Sequence, residues 1–193
     1  MYQEDGESMD YDTAFERGTT FPEFLEETRA NRELWQAYAA RAPLDEEAAE
    51  RIRNVGGRFR FLVLTDDWCG DAVNTVPVVA RLADAAPNVE LRIVPRDAFP
   101  ELRDRHLTNG SRSIPVVVLL DEHGAPQGAW GPRPDPLQAW FQEDLRTMPK
   151  DERYREIRKW YARDRGATTA REIADLVEAG AATTAGEGTR RCA

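Results

Sequence analysis

Two cysteines, two histidines and a cluster of three aspartates are the residues of this 193-residue chain best suited to chemistry, and only Cys69 stands where its neighbours would activate it. It lies in FLVLTDDWCGDAVNTVP, residues 61–77. Phe61 to Leu64 form a short apolar run of strand character, and Val76, Val79 and Leu82, with Val73 and Ala80 beside them, give a helical period. Cys69 therefore falls where a strand hands over to a helix, predicted over 70–86. Free backbone N–H groups and the positive end of the helix dipole favour thiolate over thiol there. Asp66, Asp67 and Asp71 crowd the same turn and act the other way, and the residues alone leave the sign open. As ligands these aspartates lack partners, because His106 and His123 are isolated, so no metal is expected. Gly56-Gly57 precedes a strand and makes no phosphate cradle. No cofactor is implied.

Residues 68–72, Trp-Cys-Gly-Asp-Ala, resemble the Trp-Cys-Gly-Pro-Cys signature of the thioredoxin superfamily. Three further features fall in the family's order: Pro77 eight residues after the cysteine, Ile114-Pro115 before the strand Val116 to Leu120, and Gly131 closing the next strand. The resemblance covers roughly 59–146. It implies an α/β fold, a central mixed sheet flanked by helices, with extra helices at both termini. It also implies a cis peptide before Pro115, with that proline facing the reactive sulfur.

Two departures from the family pattern bear on mechanism. Ala72 stands at the second cysteine, and Val63 at the position where many thioredoxins bury an aspartate. A dithiol cycle needs a second thiol to attack the mixed disulfide formed by the first. The resemblance thus implies a monothiol thiol-disulfide oxidoreductase with Cys69 as nucleophile, resolved by an external thiol. Trp68 would shield the sulfur, Gly70 and Asp71 would border the substrate, and Ile114 and Pro115 would hold an extended segment. The expected partners are protein disulfides or low-molecular-weight thiol adducts. The competing class is a redox-inactive binding protein that kept the groove. Cys192 has two readings, an incidental thiol or the missing resolving thiol on a tail able to span about 20 Å.

Composition narrows the partners. A net charge of −9 argues against nucleic acid or an anionic membrane. A mean hydropathy of −0.64 implies much exposed helix surface. No apolar run is long enough to span a membrane and no signal region stands at the N-terminus, so a cytoplasmic protein is expected. Two cysteines, one in the motif and one at the penultimate position, do not make a disulfide framework.

The expected organisation is an N-terminal helical extension over 1–57, a core over 58–148, a C-terminal helical extension over 149–179 and a flexible tail over 180–193. Residues 1–20 read as loosely ordered with a short helix near 13–17. Phe21 to Arg41 read as one helical face, and Asp45 caps a helix over 46–55. Strands are expected at 89–94 and 127–131 and a helix at 97–106. Leu137, Trp140, Phe141 and Leu145 mark a helix over the sheet, residues 151–164 a charged helix, and Thr169 to Glu172 a capping box for Ile173 to Ala179.

Overall fold

The sheet grows from β1 (Phe59–Thr65), whose residues are buried on both faces apart from half-buried Arg60, as an internal strand requires. In the computed structural model, which describes residues 5–191 and side chains over 11–183, β1 pairs parallel with β2 (Val89–Pro95) and antiparallel with β3 (Val116–Asp121). β4 (Pro126–Trp130) returns antiparallel to β3, giving the order β2-β1-β3-β4. Phe61 sits between Leu91 and Leu119, so the register is set by matched apolar residues.

The crossover from β1 to β2 is α5 (Gly70–Ala85), which carries Cys69 at its N-cap. Its Val73, Val76 and Val79 pack on the face of Phe61, Val63, Val117 and Leu119. Onto the same face fold Trp35 of α3 (Arg32–Arg41) and Ile52 of α4 (Glu46–Asn54). The opposite face, Leu62, Leu64, Val116, Val118 and Leu120, is closed by α1 (Asp5–Arg17) and α6 (Pro100–Arg105). No helix among the described residues is long and apolar enough to cross a membrane.

Five expectations change in three dimensions. Residues 5–17 form a full helix and not a loose segment, because Tyr11, Ala14 and Phe15 make a short helical stripe that fills the second core. Asp12 also meets Arg60 at 2.8 Å. Beyond α1, Thr19 exchanges two backbone hydrogen bonds with Ile93, of 2.9 and 2.8 Å, and covers the outer edge of β2.

The segment 21–41 is two helices, α2 (Phe21–Glu27) and α3, since the chain turns at Thr28 to Asn31. Asn31 takes a left-handed conformation there.

The helix over β3 and β4 is α9 (Ala167–Arg191), not the one at 137–145. Ala170, Ile173, Ala174 and Val177 belong to the main core. The intervening α7 (Asp135–Glu143), a 3-10 turn (Leu145–Thr147) and α8 (Lys150–Asp164) bury their own cluster of Leu137, Leu145, Ile157 and Tyr161. The sequence from 149 to 179 thus contributes both a cover beside the core and part of the core itself.

Finally, α9 runs on to Arg191 where a flexible tail from residue 180 was expected. Gly180 explains the continuity at its base: a Cβ there would come within 2.5 Å of Leu119 Cδ2, so the helix lies close on the sheet. The capping box is absent. The Asp164 carboxylate instead receives Thr168 N–H, and Glu172 receives the Trp130 indole N–H at 2.7 Å and the Asp135 N–H at 2.9 Å.

Candidate functional site

Cys69 caps α5 with extended backbone angles, and its sulfur takes part in two hydrogen bonds. The thiol donates to the Ile114 carbonyl at 3.2 Å, and Sγ accepts from the Ala72 N–H at 3.5 Å. The Ile114–Pro115 peptide is cis, as the family resemblance implies. Gly131 anchors this loop from the other side. With φ of +124°, a Cβ on it would come within 2.2 Å of the Pro115 carbonyl oxygen, a closeness that only glycine permits.

The sulfur is less accessible than its place at a helix terminus suggested, and the sign that the residues left open is upward. Cys69 is 7% exposed, and burial pushes its thiol up to about 11. The N–H groups of Ala72 and Asp71 and the charge of Arg133 pull downward, and the Asp71 carboxylate pushes upward. Desolvation of the anion outweighs the helix terminus. Tyr154, Ile157 and Arg158 of α8 share with Trp68, Cys69 and Ile114 a cleft of about 500 Å³.

The three aspartates point to three different tasks. Asp67 faces away from the sulfur. Its carboxylate accepts the N–H groups of Arg29 and Ala30, both at 2.8 Å, and its carbonyl accepts the Trp35 indole N–H at 2.8 Å. This peg fixes the turn between α2 and α3 against the loop that carries Cys69. Asp67→Ala is expected to cost about 1–2 kcal/mol, read as a lower urea midpoint at an unchanged slope. Asp66 is raised by burial and offset by Arg96.

Asp71 is the one that stays beside Cys69. Its carboxylate pairs with Arg133 at 2.6 Å and accepts the Tyr161 hydroxyl at 3.1 Å. Burial raises its pKa, although Arg133 and Tyr161 both favour the anion. Arg133 in turn lies over the Phe141 ring at 4.1 Å and donates to Gln138 at 3.0 Å. The trio joins α5, the loop after β4, and α8.

Of the residues expected from the sequence, Trp68, Cys69, Gly70, Asp71 and Ile114 line one cleft, whereas Pro115 is buried and is not part of that lining. Trp68 forms the exposed rim, stacked by the Arg96 guanidinium at 5.2 Å. Cys192 lies outside the described residues. Ala181 and Ala182 of α9 stand beside Gly57 and Phe59, at the start of β1, whereas Cys69 follows its end. The seven residues of β1 separate those ends by about 20 Å. Sequence reading missed Arg133, Tyr161, Tyr38, Tyr154 and Arg158. Only Arg133 had a nearby signal, Gly131-Pro132.

A sequence profile of the family described as thioredoxin matches residues 18–147. Among solved structures, one similar to this chain is a protein of unknown function from Pseudomonas aeruginosa, with 22% identity, a TM-score of 0.66, and coverage of 88% of this chain and 95% of that one. Another is an HIV epitope scaffold, with 22% identity, a TM-score of 0.63, and coverage of 87% and 97%. Both likenesses concern the fold alone. No curated protein matches the sequence.

Proposed function

The chain belongs to the thioredoxin superfamily, and on that premise we propose that it is a one-thiol catalyst of thiol-disulfide exchange, with Cys69 as the nucleophile and an outside thiol completing each cycle. The observation that carries this reading is the sulfur on the floor of a cleft, between the Ala72 N–H and the carbonyl before Pro115, with alanine where a resolving thiol would stand. In the first step the Cys69 thiolate attacks one sulfur of a disulfide, the Sγ–S bond forms, the original S–S bond breaks, and the displaced thiolate takes up the proton that Cys69 lost. An external thiolate then attacks the other sulfur of the mixed disulfide, forms a new S–S bond with it and expels Cys69, which takes up a proton and returns as a thiol.

Burial sets the tempo of that cycle. Compared with a thiol titrating near neutrality, one held at about 11 loses between three and four orders of magnitude in thiolate at pH 7. It regains about 50- to 100-fold through greater nucleophilicity, so the net slowing is about 10²-fold. The same basicity makes Cys69 a poor leaving group, and its mixed disulfides should persist. The proposed protein is therefore a slow exchanger that retains its adduct.

The second reading is a binding protein that uses the groove without redox turnover, and the bond from the thiol to the Ile114 carbonyl favours it, since that bond stabilises the unreactive form. Alkylation of a full-length Cys192→Ser chain by iodoacetamide separates the two. The rate should climb about tenfold per pH unit from neutrality towards pH 11, and a neutral small disulfide should give one adduct on Cys69, released by added thiol. A plateau in the ordinary cysteine range would contradict the buried thiol. No adduct even at alkaline pH would leave the binding protein as the correct reading.

A further inference from the structure

The cleft around Cys69 inverts the charge of the protein that contains it. The chain has 35 acidic and 26 basic residues, yet Arg112, Arg133 and Arg158 face the cleft with Asp71 as the lone carboxylate. Asp71 is already matched by Arg133 at 2.6 Å. Asp66 and Asp67, the other acids of the turn, are turned to Arg96 and to the N–H groups of Arg29 and Ala30. That leaves Arg112 and Arg158.

Those two cations are differently held. Arg112 meets Asp104 at 3.0 Å, with both side chains largely exposed, and such a pair yields readily to another anion. Arg158 makes no hydrogen bond or ion pair among the described residues. It projects from α8, where six basic residues outnumber four acidic ones. Between the cations the rim is apolar: Leu34, Tyr38, Trp68 and Tyr154 are each at least 40% exposed and all line this cleft. Of the five large hydrophobic residues most exposed among the described residues, only Leu107 lies elsewhere. An apolar rim flanked by Arg158, which has no partner among the described residues, and by Arg112, held only in an exposed pair, fits a peptide bearing apolar and acidic side chains.

We propose that the disulfide this cleft accepts is carried by a protein segment with carboxylates flanking the reacting cysteine, received by Arg158 and Arg112 while its apolar side chains cover Trp68, Leu34, Tyr38 and Tyr154. This rests on the reading of Cys69 as a reactive thiol and adds the chemistry of the partner. Fields of this kind act mainly on the encounter, raising association rates by about tenfold or more at low ionic strength and fading with salt.

The test uses the full-length Cys192→Ser chain and three peptides of equal length, each with one cysteine as its 2-thiopyridyl disulfide and with Glu, Gln or Lys on both sides. Attack by Cys69 forms the Sγ–S(peptide) bond, breaks the S–S bond and releases 2-thiopyridone, which is read by absorbance. The Glu peptide should react about tenfold faster than the Lys peptide at low salt, with Gln between them and the gap narrowing as salt is added. The Arg112→Glu/Arg158→Glu variant, with its fold checked by circular dichroism, should reverse the order. Equal rates for all three peptides, or an unaltered order in the variant, would overturn the proposal. Failure of every peptide beside reaction with 2,2′-dithiodipyridine would overturn the protein-segment partner while leaving the reactive thiol intact. Failure of that small disulfide as well would overturn the reactive thiol itself.

Discussion

Ala72→Cys is expected to raise reduction of a protein disulfide at least tenfold over the parent chain under the same small-thiol reductant. The geometry is already in place. Residue 72 lies one turn along α5 from Cys69, and its N–H reaches Cys69 Sγ at 3.5 Å, so a thiol there would meet the mixed disulfide from inside the site. Attack by that second thiolate on Sγ forms the 69–72 disulfide, expels the substrate as a thiol, and leaves an oxidised pair for the reductant to restore. The step becomes intramolecular, which is worth far more than any concentration of outside thiol, provided the atoms are aligned.

Ala72 is fully buried, so the larger side chain carries an overpacking cost of about 1–3 kcal/mol. Circular dichroism and the urea midpoint would therefore accompany the assay, with insulin turbidity as the readout. Equal turnover in parent and variant would mean that the parent already has an efficient resolving route.

The reactive stretch and the central strands were legible because each reports on itself. Phe61 to Leu64 are apolar on both faces, and Cys69 is followed at once by a helical period. The cis peptide before Pro115 followed from the order of motifs and not from local chemistry. What could not be read was the destination of each helix. Tyr154, Ile157 and Tyr161 announce an amphipathic helix, but nothing in their spacing says that it lies across a cysteine eighty-five residues or more earlier in the chain. That destination bears on the surroundings of the sulfur. At the sulfur desolvation outweighs the helix terminus, and α8 lines the same cleft. Asp67 shows the same limit. Its type and position suggested a charge beside the sulfur, and only the fold reveals that it is occupied by the N–H groups of Arg29 and Ala30. The early boundary of α9 and the length of α1 were missed for a related reason: their helical stripes are short, and tertiary packing extends them.

Arg133→Met should lower stability at neutral pH by about 3–5 kcal/mol, the cost of leaving a largely buried carboxylate without its counter-charge. Asp71 and Arg133 are only 12% and 14% exposed, so water compensates little. Tyr161 still donates to Asp71, which places the loss towards the lower figure. The pH dependence identifies the cause. The folded-state pKa of Asp71 is raised by burial, and removing Arg133 takes away the largest influence holding it down. A carboxyl whose folded pKa exceeds its unfolded one destabilises the protein where it is ionised, and protonation relieves that penalty as pH falls through the folded pKa. The deficit of Arg133→Met relative to the parent should thus be greatest on the alkaline side and shrink on acidification. Adding Asp71→Asn should restore most of it, because the asparagine needs no counter-charge. The single Asp71→Asn change carries a second readout at the sulfur. It removes an anion that raises the Cys69 thiol, so iodoacetamide should label Cys69 faster at neutral pH than in the parent. Urea unfolding across the acidic to alkaline range, with the alkylation rate measured alongside, tests both effects. A deficit independent of pH, or a double variant no more stable than Arg133→Met alone, would show that Arg133 acts through its packing on Phe141 and not through Asp71.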